Sequence, residues 1–106
     1  MHDEPALDDV TLAAVMAALS DPVRVAIVRG LAADGECTCG AFDLGVSKAT
    51  RSHHFSVLRK AGLTHTRAEG THRHVSLRRD DVEARFPGLL DAVLTAAEAE
   101  ISAVPA

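Results

Sequence analysis

Residues 46–63 read VSKATRSHHFSVLRKAGL, and this segment predicts a helix whose beginning and end are both marked. Ser47 can accept hydrogen bonds from the first backbone N–H groups, as an N-cap residue does. Gly62 stands where a residue with positive φ commonly ends a helix. Residues at spacings of three and four form the predicted buried face: His54, Phe55, Leu58 and Ala61.

The opposite side of this helix carries cations and hydroxyl groups and has no acidic residue: Lys48, Ala49, Ser52, His53, Ser56, Arg59 and Lys60. Such a surface suits the phosphate backbone and base edges of a nucleic acid. The alternative is an ordinary solvated face, since charged residues are usual on the outside of a surface helix. The distribution of charge along the chain favours the first interpretation.

The net charge of −4 is unevenly distributed. Residues 46–79 contain eight Lys or Arg and one acid, a net +7, together with five of the six His residues. The remainder contains three basic and fourteen acidic residues, a net −11. A basic block of this kind indicates a nucleic-acid partner that the average charge conceals.

The length of 106 residues predicts one domain with a single core. Nearly half of the residues are hydrophobic, and the only aromatic residues are three Phe, so we expect an aliphatic core. No apolar run is long enough to span a membrane, and the acidic N-terminus has no signal-peptide pattern. We therefore expect a cytoplasmic protein in which Cys37 and Cys39 are thiols.

The N-terminal half predicts helices after a flexible acidic tail at residues 1–7. A first helix is expected from Asp8 or Asp9, and a second from Pro22 to about Ala33 with Asp21 as its N-cap. Residues 36–44 predict a shorter helical piece that a glycine turn joins to the helix of residues 46–63. Together they predict a helix-turn-helix at about residues 37–62.

The C-terminal half predicts a β-hairpin and two more helices. The runs 63–67 and 72–77 predict the two strands of a wing at about residues 63–78, with Gly70 supplying a positive φ in the turn. Asp80 is the expected cap of a short helix through Phe86, and a last helix is expected at about residues 87–103. The expected fold is therefore mainly α with a small hairpin wing, occupying residues 8–104.

The first and last helices both present apolar stripes, which predicts a second subunit as their partner. The expected dimer contacts are Leu12, Val15, Met16, Leu19, Leu90, Val93, Leu94, Ala97 and Ile101.

Three segments of the sequence resemble the ArsR/SmtB family of bacterial winged-helix repressors. They are ALSDPVR at residues 18–24, SKATRSHHFSVLRKAGL at residues 47–63 and RAEGT at residues 67–71, and the similarity extends over about residues 10–95. The resemblance implies a homodimer that binds an inverted-repeat DNA operator, with each recognition helix in a major groove and each wing near the backbone or minor groove. Many members release DNA when a metal binds, and others respond to redox change or to no known ligand.

By position, the resemblance assigns DNA contacts to the recognition helix and the wing: Ser47, Lys48, Ala49, Thr50, Ser52, His53, Arg67 and Arg73. Arg51 departs from the family, which usually has an aliphatic residue there. Either the Arg51 side chain extends outward to a phosphate, or the helix is rotated from the predicted orientation. His54 is expected to be structural, since its spacing with Leu58 places it at the edge of the core.

Metal sensing is not decided by the sequence. Cys37 and Cys39 resemble the family's thiolate motif only in part, because Gly40 replaces an acid, and two thiolates do not complete a tetrahedral site. In a second interpretation, one cysteine packs in the core as a small hydrophobic residue and the other has no specific role. In a third, the two thiols form a redox pair. The family's Asp/His site on the last helix is absent, since no His follows His74.

Three imidazoles lie in the predicted wing. If Glu69 and Gly70 form a two-residue turn, His65 faces His74, and His72 lies on the same face. Such a cluster could hold Ni(II) or Zn(II), whereas a longer turn would separate its members. The alternative is that these residues lie near DNA phosphates.

The sequence thus predicts a sequence-specific DNA-binding transcriptional regulator, with a signal that reaches it from a metal directly or from a separate sensor protein. Two alternatives stay open: a winged-helix module for protein interaction, and a redox-responsive regulator without a metal. An enzyme is not expected, because the chain has neither triad spacing nor a phosphate-cradling glycine loop.

Overall fold

A computed structural model of the chain describes residues 4–38 and 45–103. Within these ranges the helices are α1 (Leu12–Ala18), α2 (Pro22–Asp34), α3 (Lys48–Lys60), α4 (Arg79–Arg85) and α5 (Leu89–Ala103). The strands are β1 (Cys37–Thr38), β2 (Thr64–Glu69) and β3 (His72–Leu77), and a 3-10 turn at Leu7–Asp9 precedes α1. The architecture is the predicted one, mainly helical with a small antiparallel sheet.

Three of the predicted helix boundaries are confirmed by local hydrogen bonds. The Ser47 hydroxyl accepts from the backbone N–H of Thr50 at 3.1 Å, which makes it the N-cap of α3. Asp21 accepts from the N–H of Val23 at 2.8 Å, directly before Pro22 at the first position of α2. Gly62 follows α3 with φ of +85°, as expected for the end of a helix.

Two other predicted helix starts are wrong. α1 begins at Leu12 rather than Asp8, because the Thr11 hydroxyl accepts from the N–H of Ala14 at 3.1 Å and caps the helix there. α4 begins at Arg79, so Asp80 is already inside it and is not its cap.

The N-terminal tail was predicted to be flexible through residue 7, but the structure packs its last residues onto the sheet. Glu4 accepts from the backbone N–H of Thr66 at 3.0 Å and contacts the imidazole of His65. The carbonyl of Pro5 accepts from Arg78 Nη1 at 3.0 Å. Glu4 thus covers part of the outer edge of β2.

The sheet has the strand order β1-β3-β2, and all pairs are antiparallel. Thr64 pairs with Leu77 and Glu69 with His72, so the turn consists of Gly70 and Thr71. The predicted turn at Glu69 and Gly70 is therefore wrong by one position, although Gly70 does have a positive φ of 60°.

β1 is an addition to the predicted hairpin. Residues 36–44 were expected to be helical, but Cys37 pairs with Val75 and Thr38 with His74. The backbone of these two residues hydrogen-bonds to β3, so β1 becomes the third strand of the sheet. The remainder of the predicted piece, residues 39–44, lies outside the described residues.

The core is almost entirely aliphatic, as predicted. Its fully buried side chains come from all five helices, from the sheet and from the connection between α3 and β2: Val15, Ile27, Val28, Leu31, Leu58, Leu63, Val75, Val82 and Leu90. Burial of each such side chain contributes roughly 1.5–3 kcal/mol. Because α3 packs into this core through Phe55 and Leu58, its opposite face is left exposed. No described helix is long and apolar enough to span a membrane.

Candidate nucleic-acid interface

The residues that the sequence assigned to DNA contact on α3 lie on its accessible surface. Arg51 is half-buried. The others are exposed: Ser47, Lys48, Ala49, Thr50, Ser52 and His53. The Ser47 hydroxyl also donates to the Thr50 hydroxyl at 3.0 Å. Two hydroxyl groups are therefore held side by side at the beginning of α3.

His54 and Arg24 hold α3 against α2. The side chain of His54 is buried, and its Nδ1 lies 3.1 Å from Arg24 Nη1. Because a guanidinium is always a donor, His54 Nδ1 accepts this bond, which assigns the ring proton to Nε2. Arg24 Nε also donates to the carbonyl of Ala18 at 2.6 Å, at the end of α1. The predicted structural role of His54 is confirmed.

A groove separates α3 from the sheet, and we refer to it as the helix–wing groove. Its volume is about 780 Å³. The residues that line it are Thr38, Lys48, Arg51, Ser52, Phe55, Arg59, Thr66, Thr71, His72 and Arg73. Among these described lining residues four are cationic and none is acidic, so the described part of the groove suits an anion.

The two arginines of the wing lie on opposite faces of the hairpin. Arg73 pairs with Ala68 and shares a face with the buried residues Thr66 and Val75, towards the helix–wing groove. Arg67 lies on the other face, directly opposite His74. The sequence grouped both arginines as wing contacts, but only Arg73 lines the groove with α3.

Carboxylates surround Arg67 on the outer face. Arg67 Nη2 donates to Glu36 Oε1 at 2.6 Å, and Nη1 donates to Glu69. These hydrogen bonds hold the pKa of Glu36 and the pKa of Glu69 below their usual value, and they raise the pKa of Arg67. The outer face of the wing therefore presents a neutralised arginine.

We expect the Arg67→Ala substitution to raise the pKa of Glu36, because the substitution removes the hydrogen bond that lowers it. In the native protein this pair stabilises the fold at neutral pH, and the stabilisation disappears as the pH falls through the lowered pKa. A titration of the Glu36 carboxyl ¹³C shift measures the change. Arg73→Ala is the control, since Arg73 lies on the opposite face, and an unchanged Glu36 pKa in Arg67→Ala would contradict the account.

The predicted three-imidazole metal site does not form among the described residues. In the observed register His65 pairs with Ser76 rather than His74, so that predicted contact is wrong. The rings of His72 and His74 lie 6.4 Å apart, and His65 contacts Glu4 instead. No group of three or more potential ligands is present within residues 4–38 and 45–103.

Only one of the two cysteines lies in the described part of the chain. Cys37 is half-buried, and burial together with nearby Asp34 raises the pKa of its thiol. A raised pKa disfavours the thiolate, which is the form that binds metal or reacts with oxidants. Cys39 lies outside the described residues.

The nine residues predicted to form a dimer contact divide into four sets, of which the first three differ in burial. Val15 and Leu90 are 0% and 1% exposed within the single chain, so the prediction that they contact a second subunit is wrong. Leu19 and Leu94 are partly buried against the same core. Leu12, Met16 and Ile101 are each about half exposed, and they are the accessible part of the predicted surface.

The other two predicted dimer residues, Val93 and Ala97, line a second groove of about 520 Å³. We refer to it as the α2–α5 groove. Its lining residues are Leu19, Ser20, Asp21, Pro22, Val25, Ala26, Arg29, Val93, Ala96, Ala97, Glu100 and Ile101. Its lining is mainly apolar, in contrast to the helix–wing groove.

An exposed basic helix beside a β-hairpin wing, carried on a small helical core, defines a winged helix-turn-helix protein. Comparisons with known proteins agree with this class. Residues 19–67 match the family described as "Helix-turn-helix domain". YceK from Bacillus subtilis (strain 168), an uncharacterised HTH-type transcriptional regulator, is 42% identical over 87 residues, which cover 79% of this chain and 87% of YceK.

Solved structures of transcriptional regulators have a similar fold. A crystal structure described as a possible transcriptional regulatory protein from Mycobacterium bovis is similar, with a TM-score of 0.61 and 31% identity over 77% of this chain and 88% of the other. An ArsR family transcriptional regulator has the same fold, with a TM-score of 0.57 and 21% identity over 89% of this chain and 93% of the other. The chain belongs to the helix-turn-helix transcriptional regulators, with an ArsR-like winged fold. These relatives are regulators, a class that is not enzymatic.

Sequence reasoning missed part of the groove. Arg59 was placed on the polar side of α3 but was not assigned to the DNA contacts. The sequence could have indicated this position for Arg59, because residues 51, 55 and 59 recur at spacings of four and therefore share one side of the helix. No sequence pattern indicated that Thr38 lines the groove, since its position depends on the pairing of β1 with β3.

Proposed function

We propose that this protein is a sequence-specific DNA-binding transcriptional regulator that places α3 in the major groove and the wing on the adjacent backbone. The observation that carries the proposal is the helix–wing groove, because the described residues that line it include four cations and no acid. The net charge of +7 over residues 46–79 adds a favourable field for a polyanion. We also propose that the regulator acts in the cytoplasm.

The proposed contacts fall into two kinds. Ser47, Lys48 and Arg73 contact phosphates, which fixes the orientation of the protein on the duplex. Base edges are read by the short exposed side chains of α3: Ala49, Thr50, Ser52 and His53.

Fluorescence anisotropy of a duplex from the gene's own promoter, measured over a range of salt concentrations, tests the proposal. We expect Lys48→Ala to weaken binding to all sequences and to reduce the slope of log K against log[salt] by about 1, because one phosphate is no longer neutralised. Thr50→Ala should instead change the preference among sequences. Arg79→Ala is the control, since Arg79 pairs with Asp91 outside the helix–wing groove. A Lys48→Ala variant with the affinity and salt slope of the native protein would contradict the proposal.

We further propose that the DNA-bound form is a homodimer, joined through α1 and α5 and bound to an inverted repeat. The proposal is supported by the exposed apolar side chains of Leu12, Met16 and Ile101. Sedimentation velocity should show a dimer, and Met16→Glu combined with Ile101→Glu should convert it to a monomer. Thr95→Glu, on the exposed side of α5, is the matched control. A native protein that sediments as a monomer would contradict this proposal.

The α2–α5 groove favours a second candidate function, a winged-helix module that binds another protein. Its apolar lining would suit an amphipathic helix from that partner. The two functions differ in the anisotropy assay, because only the DNA-binding regulator gives salt-dependent binding to the promoter duplex.

The signal that controls DNA binding is proposed to be Ni(II) or Zn(II), acting directly or through a partner protein. The neighbouring imidazoles of His72 and His74 support a direct effect, although two ligands alone do not complete a site. Addition of each ion, and separately of an oxidant, to the protein–DNA complex tests the proposal. Release by an ion supports direct sensing, release by the oxidant supports a redox signal, and no release by either favours a partner protein.

A further inference from the structure

We propose that Arg24 and His54 set the orientation of α3, and that uptake of a second proton by the His54 ring breaks their contact and weakens DNA binding at acidic pH. This inference rests on the proposed function, because it concerns the position of the helix that is proposed to read the duplex. Neither side chain is among the proposed DNA contacts, so both are positioning residues.

The guanidinium of Arg24 joins three helices at one point. It extends from α2, its Nε donates to the carbonyl of Ala18 at the end of α1 at 2.6 Å, and its Nη1 lies 3.1 Å from His54 Nδ1 on α3. In the proposed dimer, α1 contacts the second copy and α3 contacts DNA. The contact between Arg24 and His54 therefore fixes the position of α3 relative to the helix that joins the two copies.

His54 lies close to the side chains of α3 that are proposed to read base edges. Its own side chain is buried, at 7% exposure. The adjacent His53 is exposed, and so is Thr50, which lies one turn earlier on the same helix. A displacement of the His54 ring therefore moves these side chains as well, and hydrogen bonds to bases weaken steeply with distance and angle.

The contact requires a neutral imidazole. A guanidinium has only donors and stays charged, so His54 Nδ1 has to supply the lone pair. When Nδ1 takes up a proton it becomes a donor itself, and two cations then face each other in a buried position. The contact has lost its acceptor, so the ring and the guanidinium separate.

Asp21 is the carboxylate at this junction, and it stays ionised as the pH falls towards 5. Burial acts to raise the pKa of Asp21, but backbone hydrogen bonds from Val23 and Arg24 and the charges of Arg24 and His54 lower it overall. Its Oδ1 accepts from the N–H of Val23 at 2.8 Å, which caps α2. Capture of the protonated His54 ring by this oxygen would therefore uncap α2, which also disturbs the junction.

The other described elements packed against α3 present no titratable side chain to His54. α1 contains only Leu, Ala, Val and Met. The titratable side chains of β2 are exposed on the outer face of the sheet, away from α3: His65, Arg67 and Glu69. On α3 itself, the ring of His53 lies 5.8 Å from that of His54. Within this junction, imidazoles are the groups that ordinarily change charge between about pH 5 and 8.

Acid has the opposite effect on imidazoles that face the DNA. His53 on α3 and His72 in the helix–wing groove gain positive charge beside the proposed DNA surface, which strengthens the attraction of a polyanion. The test therefore compares proteins that differ only at position 54, so that this common effect cancels.

Anisotropy of the promoter duplex at about pH 7.5 and about pH 5.5, at constant ionic strength, tests the inference with the full chain. His54→Gln supplies a carbonyl that accepts from Arg24 and takes up no proton in this range. We expect the ratio of Kd at the lower pH to Kd at the higher pH to be roughly tenfold larger for the native protein than for His54→Gln, as expected for loss of a hydrogen bond to a charged group. Equal ratios in the two proteins would overturn the inference.

His53→Gln is the matched control on the same helix. It also removes an imidazole, and it should weaken binding at both pH values because His53 is a proposed DNA contact. Its ratio of the two Kd values should nevertheless stay at least as large as that of the native protein, since the contact between Arg24 and His54 is intact. A ratio that falls to the value of His54→Gln would assign the pH response to exposed imidazoles and overturn the inference.

A second measurement needs neither DNA nor a variant, so it keeps the inference testable if His54→Gln does not fold. The ¹⁵N shifts of the imidazole nitrogens in the free native protein report which of them carries a proton. We expect His54 to carry its proton on Nε2 at neutral pH, and we expect the backbone amides of α3 to shift as Nδ1 becomes protonated. A proton on Nδ1 at neutral pH, or α3 amides that do not respond, would overturn the inference. Native protein that binds no duplex at either pH contradicts the proposed function itself, and the inference fails with it.

Discussion

The Gly62→Ala substitution should lower the free energy of unfolding by about 2–4 kcal/mol. Gly62 ends α3 with a φ of +85°, a backbone conformation that costs an L-residue energy. Its N–H donates to the carbonyl of Arg59 at 3.1 Å, and the N–H of Leu63 donates to the carbonyl of Leu58 at 3.0 Å. These two bonds form a Schellman motif, which requires that backbone conformation.

A methyl group at this position would also collide with the core. A Cβ on Gly62 would lie 2.5 Å from Val10 Cγ2, 3.3 Å from Cγ1 and 3.5 Å from Cβ. Val10 is 3% exposed and β-branched, so its χ1 angle is restricted and the surrounding core leaves it little room to move. The steric cost therefore adds to the backbone cost.

Urea denaturation of Gly62→Ala and of Gly70→Ala separates the two costs. Gly70 also has a positive φ, of 60°, but a Cβ there would meet nothing within 4 Å. Gly70→Ala should therefore lower the free energy of unfolding by only about 1 kcal/mol. Equal losses of stability in the two variants would show that the contact with Val10 has no energetic weight.

The second large effect is expected from Arg24→Leu, which should lower the free energy of unfolding by about 2–4 kcal/mol. The substitution removes the donor to buried His54, and it removes a second donor that satisfies the carbonyl of Ala18 at the end of α1. An unsatisfied buried ring nitrogen costs more than the net value of the hydrogen bond. Because Arg24 connects α1, α2 and α3, the orientation of α3 should also loosen.

Arg29→Leu is the matched control on the same helix. Arg29 pairs with Glu98 at 2.6 Å, but the side chain of Glu98 is 63% exposed, so this ion pair is worth about 0–1 kcal/mol. His54→Leu in the Arg24→Leu background should recover part of the stability, since both partners are then apolar. Chemical denaturation of the three variants measures these effects, and equal stability of Arg24→Leu and Arg29→Leu would contradict the structural role of Arg24.

The helix boundaries at Ser47, Asp21 and Gly62 could be predicted because their causes are local. Each depends on a hydrogen bond or a φ angle within a few residues of the chain. The register of the wing could not be predicted in the same way. A turn at residues 69–70 and a turn at residues 70–71 both contain Gly70. The strand pairings that these two turns produce differ by two residues. Such a shift leaves every side chain on the same face, so the hydrophobic pattern does not distinguish them.

Contacts between distant parts of the chain account for the other differences. Periodicity shows that Val15 and Leu90 are on apolar stripes, but it does not show whether the chain's own core or a second copy covers them. The pairing of Arg67 with Glu36 joins residues 31 positions apart, so no local pattern indicates it. The exposed face of α3 was predictable because burial of Phe55 and Leu58 determines which side remains outside.

The most direct test of the central claim is a chemical-shift map of ¹⁵N-labelled protein titrated with its promoter duplex. We expect the largest backbone amide shifts on α3 and around Arg73 in the wing, and we expect them to disappear at high salt. Shifts centred on the α2–α5 groove, with the amides of α3 unchanged, would contradict the claim that α3 and the wing form the DNA-binding surface.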